Sequence, residues 1–300
     1  MSDRRLLGPG LVRGLRRPAR PAPPAHPTYP GYRDVVRYAF AAVPHYRDHW
    51  ARAGCVLGEP PPLSAAEADA VLPALFPFER PMPDDVPPAT TASGLGAALR
   101  EAAAVTDAPP GTPEGVLAEV GTALRDWDRV AGLRYVSVLI CLDHAAPAVA
   151  ADQRRLRREL GPDALLYGSA EDLRALDAEL AGSGPGQAAP ARRCLRSSLL
   201  AWPAEGAGRD RGPDAVGESV PAVLVDRHLG PFAARPAGCS AWHLVPGPLT
   251  LTVGQDGCPE FTVLRRHGPV LIRLRPEGIE GWRAGSCPVH DRPALLAREG

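Results

Sequence analysis

The sequence predicts an α/β chain whose second half turns to short β-strands, and three observations carry that expectation. Arg134-Tyr-Val-Ser-Val-Leu-Ile-Cys-Leu142 is a near-continuous apolar run rich in β-branched residues, as in a strand buried on both faces. Segments with apolar residues at helical spacing flank it on both sides. From about residue 195 onward, short apolar runs alternate with turn signals such as Gln255-Asp256-Gly257.

Taken in order, residues 1–30 hold six Arg, seven Pro and a single acid, Asp3, and read as a solvated basic arm. Arg4-Arg5 followed by Leu6-Leu7 has the look of a twin-arginine export signal, but Arg13, Arg16 and Arg17 interrupt the apolar region such a signal needs. An α/β part is expected over 31–190 and a β-rich part over 191–300. Apolar spacing predicts a helix over 34–42. Pro44 suits the first turn of a second helix and Gly54 its end. Pro-rich connections follow at 59–62 and 81–88. Helices are expected at 95–104 and 113–131, the strand at 134–142, and helices at 149–160 and 170–181. Ser169-Ala-Glu-Asp172 offers a capping box to the last of these. Gly182 to Pro190 reads as a linker, and strands are expected at 196–201, 221–226, 249–253, 260–265 and 269–275.

Composition narrows the function classes. With 300 residues, 45% of them hydrophobic, the chain has length for one or two domains and a substantial core. Its 34 basic and 34 acidic residues cancel, and aromatic residues are only 5%, which argues against stacking platforms for single-stranded nucleic acid. The Arg154-Arg-Leu-Arg-Arg158 cluster reads as one solvated helix face, since nucleic-acid binding needs more net positive charge around it. No apolar stretch approaches the roughly 20 residues that span a membrane. Every basic residue is Arg; a mechanism that needs a lysine ammonium has no residue here to supply it. Six scattered cysteines without an export signal point to a reducing, cytoplasmic setting rather than to disulfides.

Two cysteine–histidine pairs stand out. Cys239-Ser-Ala-Trp-His243 is a C-x₃-H pair and Cys287-Pro-Val-His290 a C-x₂-H pair. Zinc takes four N or S ligands in a tetrahedron, commonly as two close pairs from two turns. Four protein ligands close such a site, which makes it structural. Cys258 and His267 are the reserves for the fourth position. The same residues also fit reduced cysteines packed as small hydrophobes beside surface histidines.

Other candidates carry less. His45 and His49 sit at i, i+4 on one helical face, but no Glu directly follows the first His as it does in metalloproteases. Asp143-His144 follows the buried strand, where open α/β sheets bind ligands, and equally fits an ordinary loop. Cys141 ends that strand and reads as core. The chain has no G-x-S-x-G, G-x-G-x-x-G or P-loop motif.

Four stretches, in order, resemble the phenylacetate-CoA ligases and coenzyme F390 synthetases of the adenylate-forming (acyl-CoA synthetase) superfamily. Val35-Val-Arg-Tyr-Ala-Phe-Ala-Ala-Val-Pro-His-Tyr-Arg-Asp-His-Trp-Ala-Arg-Ala-Gly54 is similar to the family's N-terminal helices, joined by a "VPFYR"-like turn. Leu224-Val-Asp226 through His243 covers the place of its Tyr-Gly-x-Thr-Glu motif and a following Cys and His. Val270-Leu-Ile-Arg273-Leu-Arg275 is similar to "PLIRYRTGD", and Cys287-Pro-Val-His290-Asp-Arg-Pro to "CPCGR..P". The likeness covers about half the chain. It implies a shortened large domain of an adenylate-forming enzyme with a β-rich C-terminal half. It also implies a nucleotide pocket touched by Ser93, Gly94, Gly96, Asp226, Arg273 and Arg275, and a structural zinc on Cys239, His243, Cys287 and His290. His290 stands one residue beyond the family's second Cys.

The departures bear on activity. Carboxylate activation by ATP requires in-line positioning and neutralisation of charge as pyrophosphate leaves. The phosphate loop expected by resemblance reads Thr90-Thr-Ala-Ser93-Gly94-Leu-Gly96-Ala97, one residue short and with Leu and Ala where hydroxyls belong. The motif's magnesium-holding Glu falls on Phe232, and the ribose-binding Asp on Gly278. The small swinging domain with its lysine is expected to be absent. These losses imply a degenerate relative that binds an acyl group, an acyl-adenylate or a protein partner in a biosynthetic pathway, with ATP or AMP a doubtful ligand. The alternative is a ligase or acyltransferase completed by a partner domain in trans, for which Arg273 and Arg275 are retained.

Overall fold

The structure is a computed structural model that describes residues 32–54, 60–79, 81–82, 95–102, 115–121, 135–142, 150–151, 153, 155–157, 160, 164–181, 192–199, 220–246, 249–263 and 269–298. The expected basic arm, the 182–190 linker, Ser93, Gly94, Asp143-His144 and His267 lie outside them. The architecture is mixed α/β. Two compact units share the chain, one built from Thr106–Arg193 and the other from Thr28–Val105 with Cys194–Gly300.

The larger unit opens with α1 (Tyr32–Ala42), which buries Val35, Val36 and Ala39 on one face. In α2 (Pro44–Ala53), Pro44 occupies the first turn, where no intrahelical bond needs its missing N–H. Gly54 ends the helix at φ 60°, a left-handed cap that only glycine adopts without strain. Tyr46 and Trp50, one turn apart, point inward with ring centroids 4.8 Å apart. The Tyr46 hydroxyl donates to the Val270 carbonyl at 3.1 Å and accepts from the Ile272 amide at 2.9 Å, joining α2 to a segment more than 220 residues away. Burial raises the Tyr46 phenol well above its ordinary pKa. Tyr46→Phe should therefore cost about 1–3 kcal/mol, because two buried backbone groups lose their partner. Urea denaturation reads this directly, and an unchanged midpoint would contradict the role given to the hydroxyl.

A two-residue strand, β1 (Leu63–Ser64), leads into α3 (Ala65–Ala70) through a capping box. Ser64 Oγ accepts from the Glu67 amide at 3.2 Å, while a Glu67 carboxylate oxygen accepts from the Ser64 amide at 2.9 Å. Helix α4 (Leu95–Glu101) buries Leu95, Gly96, Ala98 and Leu99.

In the smaller unit, β2 (Gly115–Gly121) lies between β3 (Tyr135–Cys141) and β4 (Leu165–Gly168), all parallel. The helix expected over 113–131 is corrected here. Across Gly115–Gly121 the backbone is the central strand, paired on both edges. A short buried strand and a buried helical turn both read as apolar runs, so periodicity alone does not separate them. Helix α5 (Ala170–Ala181) follows β4, and Ser169 Oγ accepts from the Asp172 amide at 3.0 Å, as its sequence leads one to expect.

The remaining strands belong to the larger unit, where β5 (Arg192–Ser197) is counted from Cys194 onward. They are β6 (Ala222–Asp226), β7 (Gly230–Arg235), β8 (Trp242–Leu244), β9 (Leu249–Val253), β10 (Pro259–Val263), β11 (Leu271–Arg275), β12 (Trp282–Ser286) and β13 (Pro293–Ala297). Strands β1, β11, β10 and β9 form one sheet in that order. A second runs β12, β13, β8, β7, β6, β5, antiparallel except for the parallel β5–β6 pair. Phe232 of β7 meets Phe261 of β10 edge to face, with centroids 5.3 Å apart and both rings buried. Among the described residues no helix is long and apolar enough to cross a membrane.

Candidate metal centre

The pairing of β8 with β13 positions the two cysteine–histidine pairs. His243 lies opposite Ala294, and Trp242 opposite Leu295. The turn before β8 is closed by the Cys239 amide donating to the Pro236 carbonyl at 3.2 Å. The turn before β13 is closed by the Cys287 amide donating to Arg292 and the Asp291 amide donating back to Cys287. Antiparallel neighbours bring these two turns to one end of the sheet. A residue pair near the end of each strand is thereby delivered to a common point.

There, one donor atom each from Cys239, His243, Cys287 and His290 lies within 4.8 Å of the others. Cys239 Sγ is 3.6 Å from Cys287 Sγ, 3.6 Å from His243 Nε2 and 3.8 Å from His290 Nδ1. Cys287 Sγ is 3.4 Å from His290 Nδ1. Zn–S bonds of about 2.3 Å and Zn–N bonds of about 2.0 Å in a tetrahedron give edges of roughly 3.3–3.8 Å between ligand atoms. The donors therefore already stand close to the spacing a four-coordinate ion requires, without contact between the sulfurs. Cys239, His243 and Cys287 are buried and His290 is exposed. Ala241 and Ala294 are buried with the two cysteines, and Leu296 packs against them. Burial pushes the Cys239 thiol up, and neighbouring Cys287 adds to that. Burial acts in the same sense on Cys287, but hydrogen bonding with His290 and with the Val289 and His290 amides outweighs it and brings that thiol down to about 6.

Glu101, the last residue of α4, reaches this centre from elsewhere in the chain. Its Oε1 lies 2.8 Å from His243 Nδ1, and its other oxygen pairs with Arg292. No local pattern around Glu101 announces this contact.

The other residues singled out in the sequence stand apart. Among the described residues, the Cys/His group is the one set of three or more His, Cys, Asp or Glu that could hold a metal ion. Cys258 is buried elsewhere, its sulfur 3.5 Å from Arg298 Nη2. His45 and His49 stack with centroids 5.5 Å apart, and His45 is held below its ordinary pKa by burial and by His49. Cys141 ends β3, paired with Gly121.

Of the expected nucleotide contacts, Gly96 is buried in α4. Asp226 Oδ1 accepts from the His228 and Leu229 amides at 2.8 and 2.9 Å, closing the β6–β7 turn. Arg273 Nε donates to Glu260 Oε2 at 2.5 Å, and its Nη1 donates to the Pro60 carbonyl. Arg275 Nη2 donates to Glu260 Oε1 at 2.6 Å and Nη1 to Asp256 Oδ2 at 2.8 Å. Both arginines line an open cleft of about 370 Å³ with Pro61, Pro62, Gln255 and Asp256.

No known family profile matches the chain, and no curated protein does. Among solved structures it is similar to an acyl-CoA synthetase (AMP-forming)/AMP-acid ligase II-like protein from Dyadobacter fermentans. The similarity has 12% identity and a TM-score of 0.37, over 70% of this chain and 53% of that one. The chain thus spans about half the length of that protein.

Proposed function

We propose that this chain is a zinc-stapled, non-adenylating relative of the acyl-activating enzymes, which binds an acyl group or acyl-adenylate, or serves a protein partner in a biosynthetic pathway. The zinc reading rests on the four-donor cluster: two thiols and two imidazoles at tetrahedral spacing suit Zn²⁺ better than the hard, oxygen-seeking cations. Cys239, His243, Cys287 and His290 would hold the ion. With four protein ligands it supplies cross-linking of two turns rather than a Lewis-acid position for substrate. A reducing cytoplasm fits thiols kept free for metal, and the four described cysteines are all unpaired.

The non-adenylating reading is carried by what occupies the motif positions. Where the resemblance asks for a magnesium-holding carboxylate, Phe232 packs into the core against Phe261. A phenyl ring supplies no oxygen for the cation. Arg273 and Arg275 already have carboxylate partners in Glu260 and Asp256, so their charge is largely answered within the chain. The 300 residues contain no lysine to neutralise a departing pyrophosphate.

One observation favours a second reading, a ligase or acyltransferase completed by a partner domain: Arg273 and Arg275 line an open cleft. Pyrophosphate exchange separates the two. Incubated with ATP, magnesium, labelled pyrophosphate and a panel of carboxylic acids, the chain should leave ATP unlabelled. Acid-dependent labelling above a heat-denatured control would overturn the non-adenylating reading.

A further inference from the structure

The Glu101 contact has the geometry of a support for the metal ligand it touches. Glu101 and His243 are 142 residues apart, yet Oε1 and Nδ1 meet at 2.8 Å with side chains only 6% and 2% exposed. A bond so shielded from water is not one of the weak surface pairs that solvent and salt dissolve. An ionised carboxylate offers acceptors only, so the proton in this bond sits on Nδ1. That leaves the His243 Nε2 lone pair bare, and Nε2 is the atom 3.6 Å from Cys239 Sγ. His290 faces both sulfurs through its Nδ1 instead. The two imidazoles of one centre thus present different nitrogens, and only His243 has a carboxylate behind it among the described contacts.

Arg292 completes the arrangement. It stands two residues after His290 and pairs with the second oxygen of Glu101. The carboxylate is therefore held between the β8 ligand and the turn that carries the Cys287–His290 pair. It cannot rotate away from His243 without giving up the guanidinium.

Resting on the zinc reading above, we propose that Glu101 is a positioning residue of the metal centre. Its carboxylate fixes His243 as the Nδ1–H tautomer, aims Nε2 at the ion, and ties helix α4 to the two turns that supply the ligands. Outer carboxylates of this kind orient the ring and raise ligand basicity, and their removal typically lowers metal affinity about 10–100-fold.

The test is cobalt(II) titration of the full chain, read by thiolate-to-cobalt charge-transfer absorption, in wild type, Glu101→Gln and Glu101→Leu. Glutamine keeps an acceptor oxygen for His243 Nδ1–H, whereas leucine removes it at similar volume. The leucine variant should bind about 10–100-fold more weakly, and glutamine should recover most of that loss. An unchanged leucine variant, or a glutamine variant as weak as leucine, would overturn the proposal. If the leucine variant fails to fold by circular dichroism, long-range ¹H–¹⁵N spectra of zinc-loaded wild type decide. His243 should show a proton on Nδ1 and metal on Nε2, with the reverse pattern for His290; His243 ligated through Nδ1 would sink the assignment. Wild type that takes up no cobalt(II) would instead overturn the metal-centre reading beneath it.

Discussion

Cys287→Ala should strip the bound ion from the chain and lower its melting temperature by on the order of 10 °C. The mutation deletes one of four donors at a site with no described substitute within reach; Cys258 is committed to a separate environment against Arg298. An ion present at a thousandfold its dissociation constant stabilises the folded chain by about 4 kcal/mol. Each kcal/mol moves the transition of a domain of this size by roughly 2–4 °C. The effect should depend on metal: in excess chelator, wild type and variant should melt close together. Cys258→Ala, which removes a buried thiol outside the cluster, should leave metal content unchanged. Scanning calorimetry with and without chelator checks all of this. A Cys287→Ala deficit of equal size in both conditions would mean that the thiol serves packing alone.

Glu260→Ala should cost about 3–5 kcal/mol, the range for removing one partner from a buried ionic network. Glu260 sits on the central portion of the β1-β11-β10-β9 sheet and is 0% exposed. Its two oxygens serve two guanidiniums across the β10–β11 pair, Oε2 to Arg273 and Oε1 to Arg275. Alanine would leave Arg273 with no carboxylate partner, beside a backbone held at φ 51°, in the left-handed region costly for a side-chain-bearing residue. The register irregularity between Phe261 and Val263 belongs to the same bulge, and there the Arg273 amide donates to Thr262 Oγ1 at 3.1 Å. Arg275 would keep Asp256 and lose less. The closeness of this packing shows at Gly254, where a Cβ would stand 2.5 Å from Glu260 Oε1. Glu260→Gln, isosteric but uncharged, should cost less than alanine. Urea denaturation gives both numbers, and an alanine variant within about 0.5 kcal/mol of wild type, the ordinary range for surface changes, would contradict the network's importance.

The parts legible in the sequence are those fixed by neighbours along the chain. Pro44 and Gly54 bracket α2 because each acts on its own backbone. Ser169 and Asp172 start α5 for the same reason. The two ligand pairs were visible as spacings of three and four residues, since a turn places such neighbours on one side by itself. That the pairs meet depends on β13 lying beside β8, which no local pattern states.

What was hidden is long-range. Strand β2 passes for a helix because Leu117-Ala-Glu119 suits one; its strand geometry follows from having β3 and β4 on its two edges. Strands β7, β8, β12 and β13 are three to six residues long and carry Pro231, Gly285 and Pro293, residues that signal turns when read alone. Glu260 reads as a solvent-facing acid on an alternating strand, and is buried because two arginines on β11 face it. Glu101 closes an unremarkable helix, and its contacts with His243 and Arg292 span 142 and 191 residues.

The account turns on the metal centre, and elemental analysis of the full chain, purified without a metal-affinity tag, tests it most directly. It predicts one zinc per chain, retained through dialysis and lost in both Cys239→Ala and Cys287→Ala. Wild-type protein free of metal, and unable to take up zinc when it is offered, would contradict it.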